Sequence, residues 1–372
     1  NFQKKMATIV PLATIPLADP KVDKVQIDSL VVMKIVKHVD IEFYSGMSEV
    51  AGETCQGILT GLISPDDRRL EVTNCFPTPR PETLLEGDEN NPAAVSAADD
   101  KNTEIIDMLK RFRNMNIDYE LVGFYQAHLY GACYTQDMIE SLVDYQANTH
   151  DGVVIVYDPI KTRQGQLCIR AFRLSKKALE MSVNSDWSPE AMKQYGLSFS
   201  TVLEELPVVM KNSHLMNVML AELNLLRRKR EAPHLELGTR RALEKSMRSL
   251  MQQVDETNKS LNAYTKFVVE KSRFDTQYAG IIAKRQTENE VRIKNGEPPL
   301  PLDDLKKIYK YPQLQTKTGM LEIFLNARST EAYADYATQI TGQNIAKLFV
   351  SETISGVGDS TDKERTTSTS RA

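Results

Sequence analysis

A chain of 372 residues has room for one full domain and a sizeable second region. With 41% hydrophobic and 26% charged residues, and no apolar run near the ~20 residues that span a bilayer, it reads as an ordinary globular protein and not a membrane one. A formal net charge of −4 excludes bulk attraction to nucleic acid as its main theme.

The four cysteines, Cys55, Cys75, Cys133 and Cys168, form no Cys-x-x-Cys pair, so free thiols in a reducing compartment are expected. Residues 1–22 read as a flexible arm. Pro11, Pro16 and Pro20 break its apolar patches, so no secretory leader is expected, and the missing initiator Met suggests a chain that starts earlier. Val25–Ile27 reads as a short strand. Ser29 is placed to cap a helix over Leu30–His38, with Val31, Val32, Ile35, Val36 and Val39 on one broad face. Gln56–Ile63 and Leu70–Asn74 read as strands joined by the turn at Ser64–Asp67. Residues 82–100 read as an acidic loop. From Pro81 to Asp107 there are eight acids against Lys101 alone, and a solvated insertion is preferred there to a docking loop. Thr103–Asn114 is then a helix with Ile105, Ile106, Met108, Leu109 and Phe112 on its core side.

Val122–Asp144, VGFYQAHLYGACYTQDMIESLVD, is the most informative stretch. Leu121–Tyr125 is a buried strand, Gln126-Ala127-His128 its polar tip, and Thr135 the N-cap of a helix carrying Met138, Leu142 and Val143. Strand, polar tip and helix together make a common platform for chemistry. His128, Cys133 and Asp137 lie close enough in sequence for a metal site to be considered. Zinc needs three or four convergent ligands, so a hydrogen-bonded His and a small buried Cys are preferred. Val153–Tyr157 reads as a strand buried on both faces, Asp158–Thr162 as a turn, and Gln166–Leu174 as a strand with one wet face. Ser188-Pro189-Glu190 starts a helix, Trp187 beside it is a packing residue, and Leu197–Lys211 closes the domain.

From Asn212 the pattern becomes helical. Leu215, Met216, Met219, Leu220, Leu223 and Leu226 mark one helix. Arg227–Arg248 holds eight basic residues against three acidic ones. With no aromatics interleaved, a solvated face is preferred to an RNA contact. The next helix carries a heptad seam: Leu243, Met247, Leu250, Val254, Thr257, Leu261, Tyr264 and Val268. At ~40 residues it runs about 60 Å. A helical partner is therefore implied, since pairing with Asn212–Leu226 or the last helices covers only part of the seam. Pro298, Pro299 and Pro301 end it. Leu302–Lys310, Thr318–Leu325 and Thr330–Phe349 read as further helices, the last with Tyr333, Ala337, Ile340, Asn344 and Leu348 on one face. Residues 351–372 read as a disordered tail.

The strand-tip-helix stretch resembles the MPN domain, known in active form as the JAMM metalloprotease. Active members carry Gly-Trp-Tyr-His-Ser-His and then a Ser and an Asp. Two His and the Asp bind zinc, while the Ser and a distant Glu assist its water. Here the two His positions are Gln126 and His128, the Ser position Gln136, the Asp position Ile139 and the Glu position Thr54. One ligand of three leaves no cage, so neither catalysis nor a cofactor is expected. The resemblance implies an α/β fold, a mixed sheet flanked by helices, over 23–211, followed by an all-helical region, 212–350, for subunit assembly.

Further blocks resemble the family of h-type subunits of eukaryotic translation initiation factor 3: Val25–His38, Thr73–Pro77, Asn116–Tyr125, Val153–Leu174, Pro207–Asn217 and Gly296–Leu302. This resemblance implies a cytoplasmic, non-catalytic structural and regulatory component. It would support assembly of the small-ribosomal-subunit pre-initiation complex and mRNA recruitment. The expected partners are the MPN-domain f-type subunit and, through a helical bundle, PCI-domain subunits. Candidate contacts are Leu215, Met219, the seam residues apart from Thr257, its weak member, and Ile340, Leu348 and Phe349. The alternatives are an inactive MPN component of the proteasome lid or COP9 signalosome, or a zinc isopeptidase, which the missing ligands oppose.

Overall fold

The computed structural model describes residues 22–42, 55–64, 66–78, 92–132, 134–149, 151–163, 166–184, 187, 189–226, 240–295 and 319–368. Strand β1 (Lys24–Ile27) leads into helix α1 (Ser29–Glu42), which buries Val31, Val32, Ile35 and Val39 as the apolar spacing requires. Strands β2 (Cys55–Ser64) and β3 (Arg69–Pro77) pair antiparallel. Helix α2 (Pro92–Asn114) is longer than expected. Part of the stretch read as an acidic loop, Pro92–Asp100, is helical. Pro sits well in a first helical turn, and the alanines that follow are the strongest helix formers. Residues 82–91 lie outside the described residues.

Strand β4 (Leu121–Ala127) is buried along its whole length, as is β5 (Val153–Tyr157). Helix α3 (Gln136–Thr149) lies between them in sequence. The Asp158–Thr162 turn is instead a short helix, α4 (Pro159–Arg163). Asp158 nucleates it by accepting hydrogen bonds from the Ile160 and Lys161 N–H groups at 2.9 and 3.1 Å. Then follow β6 (Ile169–Leu174), α5 (Lys176–Asn184), α6 (Pro189–Tyr195), β7 (Leu203–Leu206) and β8 (Val208–Met210). All eight strands form one mixed sheet in the order β7-β6-β5-β4-β2-β3-β1-β8. This is the α/β architecture expected from the sequence.

The sheet has a core on each face. Along β5, Val153, Ile155 and Tyr157 join the α1 side, with Val25, Leu59, Leu70 and Tyr125. Val154 and Val156 join the other side, with Phe124, Met138, Leu142, Phe172, Met181 and Trp187. Such alternation is the period-2 geometry of a strand covered on both faces.

Among the described residues three helices follow: α7 (His214–Leu226), α8 (Arg240–Lys294) and α9 (Gly319–Ser368). At 55 residues α8 exceeds the expected length and runs about 80 Å. Helix α9 merges the two helices read at 318–325 and 330–349. It also continues into the 351–372 stretch read as a tail, since extending a formed helix avoids the cost of nucleation. Helices α8 and α9 pack antiparallel: Ser260 meets Glu322, Thr257 meets Thr330, and Leu250 meets the cluster of Tyr333, Tyr336 and Ile340. No helix among the described residues is long and apolar enough to cross a membrane.

Candidate functional site

The tip of β4 and the start of α3 hold the metal-motif positions. Gln126 is 1% exposed, and its Oε1 has no hydrogen-bond partner among the described residues. His128 closes the strand: its N–H donates to the Tyr157 carbonyl, and its own carbonyl accepts from Gly131 at 3.0 Å. Tyr130 and Gly131 take positive φ values of 67° and 65°, the left-handed region that Gly tolerates and Tyr rarely adopts. That kink turns the Tyr130 ring outward from the sheet end. Thr135 then caps α3 as expected, its hydroxyl accepting from the Met138 N–H at 3.3 Å. Gln136 donates to Glu140 at 2.7 Å along the helix. Ile139, at the Asp position, is buried in the core beside Met138 and Leu142.

The Asp position is thus filled by a packed apolar side chain. Among the described residues no group of three His, Cys, Asp or Glu is placed to hold a metal. Asp137, one of the three residues weighed as a substitute site, is exposed on α3. Cys133 and Thr54 lie outside the described residues.

Sequence reasoning missed what covers this site. Helix α9 lies over it. Leu321 and Leu325 are buried with Tyr134, Met138, Ile139 and Phe172, completing the core on that face of the sheet. About two and three turns further on, Tyr333 and Tyr336 close on Tyr130, with ring centroids 5.4 and 4.6 Å apart. Lys161 sits over the Tyr336 ring at 5.8 Å, and Arg328 over Tyr134 at the same distance. Ile340, proposed from sequence as a contact for another protein, is buried in this intramolecular cluster. The apolar spacing of α9 was visible, but nothing in the sequence links it to the Tyr130 turn.

Beneath this cover lies Asp158, 2% exposed, whose Oδ2 has no hydrogen-bond partner among the described residues. Burial pushes its carboxyl above the usual range, against the pull of the Lys161 and Ile160 N–H groups and the Lys161 charge. A carboxyl raised on folding contributes stability at low pH that is lost as pH rises through its folded value. Asp158→Asn keeps a capping oxygen without a charge to bury. Its stability relative to the wild type is therefore expected to improve as pH rises above about 4, the ordinary aspartate value. Urea midpoints for both proteins below and above that value check this, and parallel pH curves would refute it.

The heptad seam is split. The α8 face turned to α9 carries Ser246, Leu250, Gln253, Thr257 and Ser260, and much of that contact is polar. Gln253 and Ser260 hydrogen-bond with Asn326, and Thr257 with Thr330. Leu243, Leu250, Thr257 and Tyr264 are half-buried. Met247, Val254, Leu261 and Val268 remain 38–48% exposed. On α7, Leu215 and Met219 are exposed together with Val218, Leu223 and Leu225. On α9, Leu348 and Phe349 are exposed beside Ile345 and Val350. Most of the Arg227–Arg248 basic patch lies outside the described residues.

Two family models match the chain, and the change from one to the other falls inside the sheet domain. The family model described as "JAB1/Mov34/MPN/PAD-1 ubiquitin protease" matches residues 20–150, and that described as "C-terminal region of eIF3h" matches residues 162–360. The chain is 58% identical over 347 residues to the H-type subunit of eukaryotic translation initiation factor 3 from Brugia malayi, covering 89% of this chain and 91% of that protein. It is 47% identical over 358 residues to the corresponding Caenorhabditis elegans protein, covering 95% of this chain and 97% of that protein. To the H-B form from Danio rerio it is 36% identical over 339 residues, covering 91% and 95%. The degenerate motif, the single mixed sheet and these matches along nearly the whole length place the chain in the eIF3h family, the H-type subunits of eukaryotic translation initiation factor 3.

Proposed function

We propose that this chain works without catalysis, as a cytoplasmic scaffold component of translation initiation factor 3 that supports pre-initiation complex assembly on the small ribosomal subunit and mRNA recruitment. The observation that carries this reading is the set of exposed apolar rows on α7, α8 and α9, beside a motif position, Ile139, given over to the core. Contiguous apolar surface of this kind marks a surface for association. The open half of the α8 seam, Met247, Val254, Leu261 and Val268, offers a helical bundle contact to PCI-domain subunits. Leu215 and Met219 of α7, and Leu348 and Phe349 of α9, extend it. The sheet domain is the part that pairs with the MPN-domain f-type subunit. The family resemblance supports these partner identities, and the physical reading supports a helical assembly surface.

The test is affinity purification of the tagged chain, with partners and metal measured in one eluate. Leu261→Asp with Val268→Asp, and separately Leu348→Asp with Phe349→Asp, are expected to reduce co-purifying initiation factor subunits about tenfold or more. Stability should change by only about 0.5 kcal/mol, since these side chains stand in solvent. Undiminished recovery of every partner with both variants would remove the helical surfaces from the proposal. One zinc per chain, lost on His128→Ala, would overturn the non-catalytic reading.

A further inference from the structure

On the face of the sheet opposite the degenerate motif, α1 brings a histidine to a cysteine. Cys55 Sγ lies 3.2 Å from His38 Nδ1 and 3.6 Å from Nε2. The Tyr125 hydroxyl is 2.8 Å from the same Nδ1, and the Glu42 carboxylate is 3.9 Å from Nε2. A nucleophile, a base and a carboxylate that orients the base are thus gathered around one imidazole, with a phenol at the same Nδ1. Three elements hold them: α1 supplies His38 and Glu42, β2 supplies Cys55 and β4 supplies Tyr125. Among the described residues of α1, Lys34 is bonded to Asn74, and Asp40 is paired with Arg163 at 3.0 Å. Cys55 and Tyr125 are buried, while the side chains of His38 and Glu42 are 17% and 28% exposed. The cluster therefore meets solvent at the end of α1.

A second cysteine in the same core supplies the contrast. Cys75 Sγ faces the Val31 carbonyl at 3.7 Å, and burial pushes its thiol up to about 12. Its hydrogen-bond partner is a carbonyl acceptor and not a base. Satisfying the buried Tyr125 hydroxyl would account for His38 alone. It does not account for a thiol within 3.6 Å of both ring nitrogens and a carboxylate 3.9 Å from Nε2.

We propose that Cys55 is a nucleophilic thiol, activated by His38, that reacts with small hydroperoxides. The thiol proton passes to His38, and the thiolate attacks the terminal peroxide oxygen. The O–O bond breaks, and the departing alkoxide or hydroxide takes the proton from His38. Sulfur is oxidised to sulfenic acid, and the hydroperoxide is reduced to an alcohol or water. Tyr125 and Glu42 act as positioning residues, holding the imidazole against the sulfur.

The test treats the full-length native chain with iodoacetamide and follows Cys55 and Cys75 in the same tube by peptide mass spectrometry. Cys55 is expected to react about tenfold faster or more, and His38→Asn to remove that advantage while leaving the Cys75 rate unchanged. Hydrogen peroxide with a dimedone trap should label Cys55 ahead of Cys75. Equal rates for the two thiols would overturn the proposal, as would a His38→Asn chain with an unchanged Cys55 rate. Should His38→Asn fail to fold, Glu42→Gln takes its place: a slower Cys55 supports the assignment, and an unchanged one overturns it.

Discussion

Gly123→Ala is expected to destabilise the chain by about 3 kcal/mol or more, lowering the melting temperature by roughly 10 °C. Gly123 sits in β4 opposite Leu59 on one side and Val153 on the other. A Cβ there would fall 1.9 Å from the Val153 carbonyl oxygen, and the residue's φ is +157°. The obstacle is backbone in a central strand, which no rotamer change relieves. Gly280 gives the control. It lies in the middle of α8, and a Cβ there meets nothing within 4 Å. Gly280→Ala should be neutral or stabilising by up to about 1 kcal/mol, because Ala is the better helix former. Thermal melts of both variants beside the wild type decide the matter. A Gly123→Ala protein that melts with the wild type would show the β4–β5 register to be wrong.

Tyr336→Ala should have the second large effect, and a local one. The side chain is 2% exposed against Tyr130 and under Lys161. Truncating a buried aromatic costs about 3–5 kcal/mol. Here the loss falls on the contact between α9 and the Tyr130 turn. Hydrogen exchange should therefore accelerate in Gly319–Ile340 and around Tyr130–Ala132, with β4 and β5 still protected. Tyr336→Phe retains the ring and should cost under about 1.5 kcal/mol. Protection lost uniformly across the sheet would mean that α9 and the domain form one cooperative unit. Unchanged protection would mean that the aromatic cluster does not hold the helix down.

The sheet domain was largely legible because its strands and helices obey simple periods. Val153–Tyr157 read as a strand buried on both faces and is one. Thr135 read as a cap and caps. The contact between α8 and α9 was illegible for a physical reason. An apolar template selects Met247, Val254 and Leu261, whereas α8 meets α9 through Gln253, Thr257 and Ser260. Hydrogen-bonded packing leaves no hydrophobic periodicity to read. Proximity of His38 to Cys55 was equally hidden, because it arises from α1 crossing the end of β2 and not from any local spacing. The cover over the motif depends on a helix that begins almost two hundred residues after β4.

That last distance has a consequence for how the molecule is made. A chain synthesised from its N-terminus has the whole eight-stranded sheet in hand long before Leu321 and Leu325 exist. Until they arrive, Met138, Ile139, Phe172 and Trp187 lack part of their cover. The nascent domain thus carries an open apolar face, a species prone to stick to itself. A stop codon placed before Gly319 would not merely clip an assembly arm. It would release a domain whose second core can never close, and such a product should be cleared by proteolysis instead of entering a complex in shortened form.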